Sequence, residues 1–193
     1  MVGWSSGRAA SPGRIALLLD AVGIGALAPV GLAGQAEPSR EYQLKAAFLF
    51  NFAQFVEWPA SAFTAPDAPL IIGVLGDNPF GDVLEQIVQG ERVNNHPLVV
   101  EHYRRVEDIA SCHILFVGEP AASHPGPVFA RLRDRSVLTV SDAGDFSRHG
   151  GMIGFVTEHN HIRLQINLEA ATQASLTLSS KLLRPAEIVT TVE

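Results

Sequence analysis

Leu70-Ile-Ile-Gly-Val-Leu75 is wholly apolar and is bounded by Pro69 on one side and Gly76-Asp77-Asn78-Pro79 on the other. A strand with no polar face cannot lie against water on either side. It belongs inside a parallel sheet with both faces covered, and helices in the connections must do the covering. The sequence supplies such connections. Residues 79–89 read as a helix that stops near Gly90, with Asp77 or Asn78 as its cap and proline at its first position. Residues 98–101 read as a second, short strand, 106–110 as a helical turn, 113–117 as a third strand, 127–134 as a helix and 136–140 as a fourth strand. The pattern then changes. Residues 152–157 and 161–167 are two strands joined by Glu158-His159-Asn160, a hairpin turn. Residues 168–183 read as one last helix, capped by Asn167 and ended by Pro185. The expectation is an α/β fold in a single compact domain. It has a mixed sheet of about six strands, a parallel core plus a C-terminal antiparallel hairpin, with flanking helices. With 193 residues the chain is long enough to bury a core without disulfide staples.

The first 36 residues have a different character. Arg8 and Arg14 precede an apolar stretch over residues 15–33, which closes on Leu32-Ala33-Gly34-Gln35-Ala36. Basic start, apolar middle and small residues at the end are the features of a signal peptide. Asp20 and several glycines interrupt the stretch, which argues against a permanent membrane span. Residues 1–36 are therefore expected to direct export, with cleavage after Ala36 and a soluble exported domain over residues 37–193.

Residues 41–57 read as a helix with an unusually broad apolar arc. At about 100° per residue, Gln43, Asn51, Gln54 and Glu57 share one narrow stripe. Tyr42, Leu44, Phe48, Leu49, Phe52, Phe55 and Val56 fill the opposite side, and Trp58-Pro59 ends the helix. Two residues break this pattern. Lys45 falls within the apolar arc, where an ammonium must either snorkel or pair with an acid. Phe50 falls beside the polar stripe, where it is either covered by a loop or left exposed as a contact. Both are candidate partner contacts.

Signs of chemistry are sparse. Gly76, Asp77 and Asn78 form a turn at the carboxyl end of a parallel strand, where ligands bind in open α/β sheets. With Gly118, Ser141 and Asp142 they make a candidate small-ligand crevice, the alternative being a simple capped turn. No G-x-G-x-x-G or P-loop pattern is present. Ser141-Asp142 and Ser179-Ser180-Lys181 lack the Gly-x-Ser-x-Gly context of an activated serine. His149, His159 and His161 match no zinc-ligand spacing. No catalytic residue, cofactor or metal is expected. A net charge of −6 without a basic run gives nucleic acid no footprint. Cys112, the single cysteine, cannot form an internal disulfide and is either buried or available for an intermolecular one.

Read in order, the chain resembles a known family. The opening Tyr42-Gln-Leu-Lys45-Ala-Ala-Phe48-Leu-Phe-Asn51-Phe52, ending at Glu57-Trp58-Pro59, is similar to the start of the YfiR family. Further marks follow in order: Ile72–Gly76, Cys112–Val117, Leu138–Asp142, Phe146 with Gly150-Gly151, Arg163–Leu168 and Ser179–Leu183. The resemblance implies a compact α/β periplasmic repressor, often a homodimer. Such a protein binds the periplasmic sensor region of an inner-membrane diguanylate cyclase, lowers cyclic-di-GMP and restrains biofilm formation. The alternative is a periplasmic small-ligand sensor with a different membrane partner. Better-studied members carry cysteine pairs that respond to redox state. Ser147 and Gly154 stand about where such a pair would be expected, so a switch of that kind is not expected here.

Overall fold

The computed structural model describes residues 38–159 and 161–192. The expected signal peptide lies outside the described residues.

Helix α1, Arg40–Phe55, starts where the Ser39 hydroxyl accepts the Tyr42 backbone N–H. It stops two residues before the expected boundary, because Val56–Glu57 is extended and forms the short strand β1. Strand β2 is Leu70–Leu75, buried along its whole length. Helix α2, Val83–Val88, begins later than the sequence indicates. The Asn78 side chain accepts the Phe80 N–H and donates to the Gly81 carbonyl, and Gly81 has a φ of +53°, so residues 78–81 form a turn of their own. Strands β3, Arg92–Val93, and β4, His96–Tyr103, make a hairpin whose tip, Asn94-Asn95, has φ of +48° and +71°. Both residues in the left-handed region is the signature of a tight two-residue turn. Strand β5 is Ile114–Val117, helix α3 is Gly126–Leu132 and strand β6 is Leu138–Ser141. Strands β7, Ile153–Glu158, and β8, His161–Asn167, form the expected antiparallel hairpin.

The single last helix over 168–183 is not formed. Helix α4, Leu168–Gln173, is capped as expected, the Asn167 side chain accepting the Ala170 N–H. Ser175 then takes a φ of +59°, which a continuing helix cannot accommodate. Strand β9, Thr177–Leu178, follows and pairs antiparallel with β1. Helix α5, Ser180–Leu183, is capped by the Ser179 hydroxyl, and strand β10, Glu187–Val189, ends the fold. Ala171, Leu178 and Leu182 are buried as a helical wheel would have them, but they sit on three elements.

The main sheet has eight strands in the order β10-β8-β7-β6-β5-β2-β4-β3. The β6-β5-β2-β4 core is parallel. The two strands beyond the expected six are β3 and β10. Leu70, Ile72 and Val74 of β2 face a core built with α1, α2, α4 and α5. Ile71 and Leu75 face the smaller core under α3 and Phe146. The wholly apolar run with which the sequence is punctuated thus has a packed layer on each side. Among the described residues no helix is long and apolar enough to cross a membrane.

Gly151 shows how tightly the second core is closed. A Cβ there would lie 2.2 Å from Cε1 of the Phe146 ring, and Phe146 is buried. At Gly144, in the turn that follows β6, a Cβ would meet nothing within 4 Å. Gly151→Ala is expected to cost about 1–3 kcal/mol through overpacking. Gly144→Ala is expected to gain up to about 1 kcal/mol through unfolded-state entropy. Urea unfolding of the two variants checks the opposite signs.

Candidate functional site

Lys45 is 3% exposed in the middle of α1. Its Nζ lies 2.6 Å from Asp142 Oδ2 and 2.7 Å from Glu41 Oε1, and stands 4.5 Å from the centre of the Tyr42 ring. Glu41 in turn accepts the Thr157 hydroxyl at 2.8 Å. Burial pulls the Lys45 pKa down, but the hydrogen bonds and charges of Asp142 and Glu41 outweigh it and the net shift is upward. The hydrogen bond from Lys45, with that from Thr157 and the lysine's charge, lowers the Glu41 pKa. Both groups are therefore held in their charged forms. The Tyr42 ring meets Phe80 edge-on at 5.8 Å. Together these contacts bind the first turns of α1 to residues that follow or end β2, β6 and β7.

The candidate crevice is arranged around the same ends. Gly76 (φ +90°) approaches the backbone of the neighbouring strand exit so closely that a Cβ would lie 3.2 Å from the Glu119 carbonyl. Asp77 and Asn78 are exposed, and the Asn78 side chain is occupied by the turn it closes. The Ser141 hydroxyl donates to the Val117 carbonyl at 2.7 Å and accepts the Ala143 N–H. Asp142 holds Lys45. The structure thus brings Lys45 and Asp142 together, and it leaves Ser141 and Asp142 engaged with protein groups. Phe50 is half-buried and packs against the main core. The exposed apolar residue of α1 is Leu44, at 48%, beside a groove of about 480 Å³ with Arg40, Thr157 and Ile162.

A second buried cluster lies at the other end of the parallel strands. His113 Nδ1 accepts the Ile71 N–H at 3.0 Å, and Nε2 donates to the Ala62 carbonyl at 3.2 Å. Phe63 stacks on His113 at 4.5 Å and on His96 at 3.7 Å, and Trp58 Nε1 donates to the His113 carbonyl. Burial pulls the His113 pKa down, with the Ala62 bond opposing, so the ring is held neutral in the tautomer these bonds require. The cluster explains why Trp58-Pro59 does more than end a helix. Sequence reading missed it, because a lone histidine beside a cysteine carries no spacing signal. Cys112 is buried and unpaired, and burial pushes its thiol up to about 12. That makes it a poor nucleophile.

A model of the YfiR/HmsC-like family matches residues 42–187, from the third residue of α1 to the first of β10. The chain belongs to the YfiR/HmsC-like family. No curated protein matches it. The matched range takes in Lys45, so the residue that breaks the apolar arc is the one the fold uses to seat that helix. For this YfiR/HmsC-like chain the expected position of a cysteine pair also has a geometry. An ideal Cβ on Gly154 would lie 3.6 Å from Ser147 Cβ, within the range a disulfide spans.

Two outcomes follow from these geometries. Asp142→Ala leaves the buried ammonium with Glu41 alone, whose side chain is 41% exposed, and is expected to cost about 3 kcal/mol. Lys45→Met should cost less, because Asp142 and Glu41 can then turn to water; chemical unfolding ranks the pair. The Ser147→Cys/Gly154→Cys double variant should oxidise to an internal disulfide and gain about 2 kcal/mol from the short closed loop. The gain should appear as a rise in Tm that a reductant abolishes.

Proposed function

We propose that this chain is a periplasmic regulatory protein without catalytic activity of its own. Residues 1–36 export it, and the domain over 37–193 binds the periplasmic sensor region of an inner-membrane diguanylate cyclase. Bound, it holds the cyclase in its inactive state, lowers cyclic-di-GMP and restrains biofilm formation. The observation that carries this reading is the match to the YfiR/HmsC-like family over nearly the whole folded body. The site geometry is compatible with it, since Asp142 is engaged in holding α1 through Lys45 and Ser141 in holding the Val117 carbonyl. The physical requirement is differential affinity, because a binding protein shifts only an equilibrium between states it distinguishes.

The reading is tested by deletion and capture. Loss of the gene should raise cellular cyclic-di-GMP, and expression of the chain should restore it. The protein should co-purify in detergent with an envelope diguanylate cyclase, and the exported form should begin at Glu37. Unchanged cyclic-di-GMP together with no cyclase in the purified complex overturns the reading.

A further inference from the structure

Strand β4 has eight residues, but its outer neighbour β3 has two. β3 pairs only with His96 and Pro97, and the Leu98 N–H goes to the Glu91 carbonyl. On the inner side the Tyr103 carbonyl accepts the Gly76 N–H, beyond the end of β2. A residue's N–H and C=O point the same way across a strand, and the direction alternates along it. Leu98 therefore points outward and Tyr103 inward, which fixes the rest. The backbone groups of Val100 and His102 point outward, and among the described residues no strand pairs with them. An open edge of this kind is a template for a further strand.

The edge is flanked by features that select its occupant. Between α2 and β4 runs a groove of about 510 Å³ lined by Val88, Leu98 and Val100, with Asp82 and Glu85 and no lysine or arginine. Glu85 Oε1 lies 2.6 Å from His102 Nε2, while its Oε2 is shielded from solvent and has no partner among the described residues. On the opposite face Val99 is 38% exposed and Glu101 lies beside it. A second copy of this chain is disfavoured by its own register. The two-fold antiparallel pairing that uses the outward groups of both Val100 and His102 sets Glu101 directly opposite its copy. Like charges so placed destabilise a sheet.

We propose that the outer edge of β4 at residues 100–102 is a strand-addition site for an extended, basic segment of a partner protein. The segment runs antiparallel to β4. Its residue opposite Val100 is apolar and enters the α2–β4 groove, and its residue opposite Glu101 is lysine or arginine. The proposal rests on the reading that this chain acts by binding a protein, and it assigns the surface.

The test uses the purified protein and the peptide acetyl-Ser-Val-Lys-Val-Lys-Val-Ser-amide. Hydrogen exchange at the Val100 and His102 amides should be fast in the free protein and slowed by the peptide. His102→Pro removes an outward N–H that no ladder bond uses, as an edge strand tolerates. It should weaken the peptide about tenfold at unchanged Tm. Glu101→Lys should transfer preference to the peptide with glutamate in place of lysine, which keeps the test independent of the proline variant. Protection elsewhere, no protection, or unaltered preference in Glu101→Lys overturns the proposal. So does a dimer that either substitution converts to monomer, which would make the edge a self-pairing surface. If as much diguanylate cyclase co-purifies with His102→Pro and with Glu101→Lys as with the wild-type chain, the edge fails and the functional reading stands. If none co-purifies with the wild-type chain while the peptide protects both amides, the functional reading fails and the edge stands.

Discussion

The Lys45 ammonium, at 3% exposure between Asp142 and Glu41, determines how α1 sits on the sheet. A helix with so broad an apolar arc could dock in several rotations at similar hydrophobic gain. Turning it by one residue would move Lys45 by about 100° and strand a buried charge, at about 3–5 kcal/mol. Replacing a buried ion pair with apolar residues often loses no stability, so the contribution of Lys45 is to orientation. The partner on the sheet side, Asp142, directly follows β6 and is fixed by its strand. The partner on the helix side, Glu41, is fixed in turn by Thr157 near the end of β7.

From that docking follows the state of the strand ends. In an open parallel sheet the crevice at the carboxyl ends, between β2 and β5 where the strand order reverses, is where a ligand is expected. Here Ser141 holds the Val117 carbonyl, Asp142 holds Lys45, and Tyr42 packs on Phe80 just beyond the Asn78 turn. Ser141 and Asp142 thus serve the interior, while Asp77 stays exposed at the mouth of the crevice. The same sheet leaves main-chain groups facing outward on β4, which shifts recognition from the crevice to the edge.

How much of this the sequence carries depends on the range of the interaction. Strand β2 is legible because six apolar residues between a proline and the Gly76-Asp77-Asn78-Pro79 turn admit one environment. The β7–β8 hairpin is legible from alternation and its turn. The last helix is misread because Ala171, Ala174, Leu178 and Leu182 fit a helical wheel, while the break depends on Ser175 entering the left-handed region and on β9 pairing with β1. Pairing between segments so distant in sequence leaves no local pattern. β3 and β10 are too short for periodicity to register. Lys45 shows the same division: its need for an acid follows from the helical arc, but the identity of Asp142, 97 residues away, does not. Ser147 and Gly154 come together for a similar reason, through a loop that returns on β7.

The two ends of the sheet show how an edge can be kept for use without inviting aggregation. β10 is three residues long and ends the sheet with little backbone on offer. β4 is longer, and β3 covers only its beginning. Natural edges are blunted by charge, and Glu101 does this against the chain's own copies by setting like charges opposite one another. The same carboxylate attracts a basic residue on any other strand in that register. One side chain therefore both repels a second copy and selects a partner, because specificity is a difference between affinities and needs a repulsive element as well as an attractive one. Tyr103 strengthens the device: its hydroxyl donates to Glu101 at 2.6 Å and holds the carboxylate against the strand, so the charge stays at the edge where the choice is made.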